Sequence, residues 1–244
     1  MPTQHIVRSF DDELQYLEAK IAEMGRHAGE MILRSVDCLV TNNTQLASDV
    51  IADDIFLDLA ERDLDEKAIT IIAKRQPMAV DLRAIIGTIK ISSDLERVGD
   101  MGKNIAKRVA PIGQSRQPER FYQGLKTFAD LVLSQLNEVL DAYATRSLDR
   151  IDAVRERDCE VDVLYTSLYR EILALMIKEP KNITPCTHLL FCAKNLERVG
   201  DHITNIAETL HYIITGDIMP PERPKDDKTY KLSADDINLR QNEE

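Results

Sequence analysis

The residues best able to do chemistry in this chain are carboxylates repeated at helical spacing. Leu95-Glu96-Arg97-Val98-Gly99-Asp100 recurs letter for letter as Leu196-Glu197-Arg198-Val199-Gly200-Asp201, and Asn104-Ile105-Ala106 recurs at the same offset as Asn205-Ile206-Ala207. Each block places a Glu and an Asp at i,i+4, one above the other on a helix face. Two further sets have the same step: Asp54, Asp58, Glu61 and Asp65 in the first half, and Asp158 and Asp162 in the second. An isolated i,i+4 acid pair is ordinarily a solvated face. Recurrence on two helices of each half, beside apolar lines, points instead to pairs that converge if those helices face one another. Like charges about 4 Å apart repel by roughly 4 kcal/mol near a protein surface, so convergence demands protonation, basic partners or a cation. Carboxylate oxygens suit Fe, Mn, Mg or Ca, with Zn also compatible.

The neighbouring residues refine this expectation. Counting on by threes and fours from Glu197 and Asp201 reaches Asn205 and Glu208, whereas the first copy reaches Asn104 and Lys107. Lys107 therefore makes the first set less acidic, and the second is expected to bind a cation more tightly. His27, between Glu23 and Glu30, is a candidate ligand, although a histidine so placed is more often an ordinary partly buried residue. Glu208 and His211 form one Glu-x-x-His, where di-iron carboxylate bundles need two. No P-loop, G-x-S-x-G or Cys-His arrangement supports catalysis. Cys38, Cys159, Cys186 and Cys192 contain no CxxC pair and read as reduced, apolar side chains.

The elements that must position these groups are helices. A sequence with 43% hydrophobic and 30% charged residues, nine Gly, nine Pro and no Trp is weighted toward helix formers. Apolar periodicity predicts helices over about Phe10 to Val40, Gln45 to Lys74, Val80 to Val109, Glu119 to Tyr143, Leu148 to Lys178 and Thr187 to Ile214. Ser9 with Asp12 reads as a capping-box-like start, Thr41-Asn42-Asn43 as a turn, and Pro77 and Pro180 to Pro185 as breaks. Leu196, Val199, Ile203, Ile206, Leu210 and Ile213 share one face and are core. The internal repeat implies two copies of one three-helix unit, about the smallest helical unit that encloses its own apolar face. The expected class is all-α: three-helix bundles at 1–112 and 113–216 joined end to end through Pro111, Gly113, Ser115 and Pro118, then a disordered tail at 217–244.

A net charge of −11 argues against direct nucleic-acid binding. No apolar run approaches the roughly 18 to 20 residues that span a bilayer, and Met1 to Leu14 lacks an apolar signal core. A cytosolic protein is expected.

With these features assembled, the sequence resembles the PhoU family of bacterial phosphate-signalling proteins over about residues 5 to 215. Ala73-Lys74-Arg75-Gln76-Pro77, Asp81-Leu82-Arg83 and the two Leu-Glu-Arg-Val-Gly-Asp blocks carry the resemblance. It implies tandem three-helix bundles, homodimerisation in many members, and multinuclear metal sites in some. Those sites map here onto Glu61 and Asp65, Glu96 and Asp100, Asp158 and Asp162, and Glu197 and Asp201. The implied role is regulatory: an adaptor between the ATPase of a phosphate ABC transporter and a membrane sensor histidine kinase, repressing the starvation response and restraining uptake, held at the inner membrane through these partners. Beside this metal-binding adaptor stand a metal-independent acidic docking adaptor and a metal-dependent enzyme.

Overall fold

The computed structural model describes residues 8–113, 115–220 and residue 229. Helix α1 spans Arg8–Thr41, α2 Thr44–Arg75, α3 Val80–Ala106, α4 Val109–Gly113, α5 Glu119–Thr145, α6 Leu148–Glu156, α7 Asp158–Lys178 and α8 Ile183–Thr215, with a 3-10 turn at Pro180–Asn182. No strand occurs among the described residues, in agreement with the all-α expectation. The expected disorder of the tail falls, from residue 221 on and Thr229 excepted, outside the described residues.

Local chemistry explains most boundaries. The Asn43 side chain accepts from the Leu46 amide at 3.0 Å and opens α2. Gln76 closes α2 in the left-handed region at φ 48°, just before Pro77. Gly216 closes α8 the same way at φ 83°. Ser9 does not cap α1: it lies inside that helix, and its hydroxyl accepts from Arg75 Nη2 at 2.8 Å. Helix α8 starts at Ile183, earlier than expected, because Pro185 falls in the first turn, where its missing N–H costs nothing. The segment read as a linker contains the short helix α4, with Val109 and Ile112 buried.

The expected helix over Leu148 to Lys178 is broken at Arg157. Gln135 is almost fully buried on α5, and its Nε2 donates to the Arg157 carbonyl at 3.0 Å. A buried amide must find partners. Here the partner is a main-chain oxygen at the break, and Asp158 becomes the first residue of α7, with Glu160 in the same turn.

Helices α1, α2 and α3 form one unit, and α5, α6 with α7, and α8 the other. They are not joined end to end. Helix α3 packs extensively on α8, and α1 on α5. A Cβ on Gly25 would stand 2.5 Å from Leu140 and one on Gly29 3.3 Å from Leu136, so α1 and α5 run antiparallel at close range. Gly87 meets Ile213 while His202 on α8 bonds Asp94 on α3, so this pair is antiparallel too. The buried apolar side chains of both units, from Phe10 to Ile213, form one continuous core. The cause is apolar surface: α1, α3, α5 and α8 each carry more than a three-helix unit can cover, and burying it laterally stabilises both units.

Within the first unit, a Cβ on Gly102 would lie 3.2 Å from the Met31 carbonyl carbon and oxygen and 3.3 Å from the Ile32 nitrogen, all main-chain atoms. Backbone cannot rotate aside as a side chain can. Gly102→Val is therefore expected to force α1 and α3 apart and to cost about 1–3 kcal/mol of stability, read as a lower midpoint in thermal or urea unfolding.

Candidate functional site

The two acidic sites are built from the units upward. In the second unit, Gly200 on α8 would place a Cβ 3.0 Å from Val161 Cγ1 on α7, so the helices approach closely. Thr204 on α8 donates to Asp158 Oδ1 at 3.2 Å, and Asp162 lies within the field that acts on Glu197. Asp158, Asp162 and Glu197 are buried and Asp201 is half-buried. The pairs Asp158/Asp162 and Glu197/Asp201 therefore stand on facing helices at the same level.

Burial pushes the Glu197 carboxyl up. Lys194 pulls it back, and Asp201 and Asp162 push it further up. Lys194 Nζ stands 2.6 Å from Glu197 Oε2, yet this buried oxygen has no hydrogen bond of good geometry. Lys194 itself is 44% exposed and lies over the Tyr165 ring.

The first unit repeats the arrangement with different details. Gly99 on α3 faces Leu57 on α2, where a Cβ would meet Leu57 Cδ1 at 2.1 Å. This contact sets Asp54 and Asp58 level with Glu96 and Asp100, so Asp54 and Asp58 are the spatial counterparts of Asp158 and Asp162. Glu61 also acts on Glu96, ahead of Asp58. Asp65 lies a further turn along α2, half-buried, with Oδ1 buried and without a hydrogen bond. Asp54 and Asp58 were visible in the sequence as the same D-x-x-x-D step that Asp158 and Asp162 make.

Burial, then Asp100, pushes Glu96 up to about 7. Arg97, 3.4 Å from Glu96 Oε2 and 3.1 Å from Asp100 Oδ2, opposes the shift. The Lys103 ammonium pairs with Asp54 Oδ2 and sits 2.6 Å from Asp100 Oδ1. Burial tends to lower the Lys103 pKa, but the bonds to Asp100 and Asp54 more than reverse this and raise it. Lys103 is thus the more enclosed of the two basic residues at the first site. Lys107 is exposed at the end of α3, eleven residues beyond Glu96 and so about 16 Å along the axis. The path Glu96, Asp100, Asn104, Lys107 takes two steps of four in succession and so passes over Lys103, which a step of four and then one of three reaches on the same face.

The remaining candidates lie elsewhere. Asn205 is exposed and donates to Asp94 Oδ1 at 3.4 Å across the unit boundary, because two successive steps of four rotate it about 80° from Glu197. Glu208 faces Arg155 at 3.8 Å. His211 Nδ1 is 3.2 Å from the Asp217 carbonyl. His27 packs on Phe56 with ring centroids 4.3 Å apart and bonds the Asp53 carbonyl at 3.3 Å, a structural histidine. All four cysteines are free thiols.

Among the described residues, no group of three or more His, Cys, Asp or Glu side chains is gathered closely enough to hold an ion in the present rotamers. The second unit nevertheless fits a hard cation by donor type: it offers facing carboxylates, three of them buried, and one buried oxygen without a hydrogen bond. The first unit has a matching buried oxygen without a hydrogen bond, Glu96 Oε2, but fits less well, because its Lys103 ammonium bridges acids on two helices, whereas Lys194 pairs with Glu197 alone in the second.

The fold and these sites define a class: a duplicated helical scaffold, with acids set between two facing helices of each unit. Residues 21–109 and 125–210 each match the PhoU domain, and the chain belongs to the PhoU family. It is 56% identical over 234 residues to a Rhizobium meliloti protein described as a phosphate-specific transport system accessory protein PhoU homolog, covering 96% of this chain and 99% of that one. A Caulobacter vibrioides protein of the same description is 43% identical over 223 residues, 91% of this chain and 97% of that one. The crystal structure of PhoU from Pseudomonas aeruginosa superposes with a TM-score of 0.81 at 32% identity, covering 85% of this chain and all of that one. That of the phosphate transport system regulatory protein PhoU from Streptococcus pneumoniae gives 0.81 at 28%, covering 86% and 99%.

Glu96 supplies a pH test. Its folded-state pKa lies above the unfolded value of 4.5, so its contribution to stability is fully present below pH 4.5 and is lost as pH rises through about 7. In metal-free buffer, Glu96→Gln is expected to unfold later than the parent at pH 8, by on the order of 1 kcal/mol. The gap should close toward pH 4.5 in parallel urea titrations.

Proposed function

We propose that this protein is a regulatory accessory factor of a phosphate-specific transport system. It contacts the ATPase of a phosphate ABC transporter and a sensor histidine kinase, restrains uptake and represses the starvation response when phosphate is plentiful. The observation that carries this reading is the near full-length similarity to proteins described as accessory to phosphate-specific transport. Among the described residues no helix is long and apolar enough to cross a membrane. In this reading the protein works from the cytoplasm as a homodimer and reaches the inner membrane through its partners. Co-purification from solubilised membranes is the direct test: transporter ATPase and kinase should both be retained on the tagged protein. Loss of the gene should raise expression from phosphate-starvation promoters in phosphate-rich medium, and an unchanged promoter would count against the repressive role.

We further propose that metal ions bind to the acidic faces, chiefly in the second unit through Asp158, Asp162, Glu197 and Asp201. When bound, the ion would supply the positive charge that facing carboxylates need, stiffening α7 against α8. Fe, Mn, Zn, Mg and Ca all suit an oxygen ligand set, with the harder ions preferred. Glu197→Gln with Asp201→Asn should abolish the metal retained by the second unit, measured by elemental analysis. Equal metal in parent and variant would end this part of the reading.

The absence of a gathered ligand set among the described residues favours a second reading, in which the acids dock onto basic partner surfaces without metal. Association would then weaken steeply as salt rises and would ignore chelators, whereas metal-dependent association would respond to EDTA.

A further inference from the structure

We propose that Lys103 is the built-in cation of the first unit, so that Asp54, Asp58, Glu96 and Asp100 do not recruit a metal ion and divalent binding is confined to the second unit. This inference deepens the metal reading above and rests on it only for the second unit.

The offset of the repeat, carried by the two Leu-Glu-Arg-Val-Gly-Asp blocks and the Asn-Ile-Ala segments after them, makes Lys103 of α3 the counterpart of Thr204 of α8. Both residues reach toward the equivalent acid on the facing helix. Lys103 Nζ pairs with Asp54 Oδ2 and, at 2.6 Å, with Asp100 Oδ1. Thr204 Oγ1 donates to Asp158 Oδ1 at 3.2 Å and to the Gly200 carbonyl at 3.1 Å. A hydroxyl satisfies an oxygen but leaves the charge of the cluster unchanged, whereas an ammonium cancels one negative charge. The Lys103 head group bridges two acids on different helices, the position a shared metal ion would need. A divalent ion entering there would have to displace the ammonium from both oxygens or accept a like charge a few ångströms away. Lys194, the lysine near the second site, does not play this part. It pairs with Glu197 from one side, is 44% exposed against 21% for Lys103, and has Ser93 as its counterpart in the first unit.

The test uses the full chain, stripped with EDTA, desalted and titrated with Mn²⁺ alone, reading Mn²⁺ bound per chain and the thermal midpoint. Lys103→Thr, which copies the second unit, is expected to unfold several degrees lower than the parent in EDTA, to recover on addition of Mn²⁺, and to bind at least one more Mn²⁺ per chain. The reciprocal Thr204→Lys should lose the Mn²⁺ of the second unit and make the midpoint insensitive to Mn²⁺. Asp100→Asn should leave the Mn²⁺ count of the parent unchanged. Loss of bound Mn²⁺ in Asp100→Asn would overturn the proposal, since the first unit would then hold metal despite Lys103. A Lys103→Thr protein that folds but neither binds extra Mn²⁺ nor recovers stability would overturn it too. If the parent binds no Mn²⁺ in either unit, the metal reading of the second site fails by itself. A Mn²⁺-dependent Lys103→Thr would still support the role of the lysine, so the two failures are distinguishable.

Discussion

Carboxylates set on facing helices and partly withdrawn from water are the constraint around which each unit is organised. The closeness comes from Gly99 and Gly200, which leave room for Leu57 and Val161 and so bring α2 onto α3 and α7 onto α8. Acids on those faces lose solvent, and the resistance of Glu96 and Glu197 to ionisation records that loss. Such a cluster needs positive charge or retained protons. The first unit draws on Lys103 and Arg97. The second has Lys194 at its rim and a threonine where the first has its most enclosed lysine.

The same helices that carry acids on one flank carry apolar side chains on the other, and this second face joins the units. Helices α3 and α8, like α1 and α5, are equivalent elements of the repeat running antiparallel to one another. Duplication followed by lateral burial gives one core in place of two, with polar contacts such as Asp94 with His202 set into the seam. Asp94 is only two residues from Glu96, about 200° around the helix, so one short stretch of α3 serves both the seam and the acidic flank.

Sequence alone determined the helical class, the twofold repeat, the apolar stripe of α8 and the two recurrent acid pairs, because helix periodicity and an exact repeat are local properties of the chain. It also pointed to the family, through the same repeated block and the Ala73 to Pro77 segment. The break at Arg157 was not visible, since it follows from a hydrogen bond with Gln135 on another helix. Only the tertiary structure decided that the units lie side by side, that Asp54 and Asp58 stand level with Glu96 and Asp100, and that Lys103, not Lys107, lies among them. These are questions of register between helices. Side-chain packing sets that register, above all where Gly99 admits Leu57 and Gly200 admits Val161, and periodicity along a single helix carries no information about it.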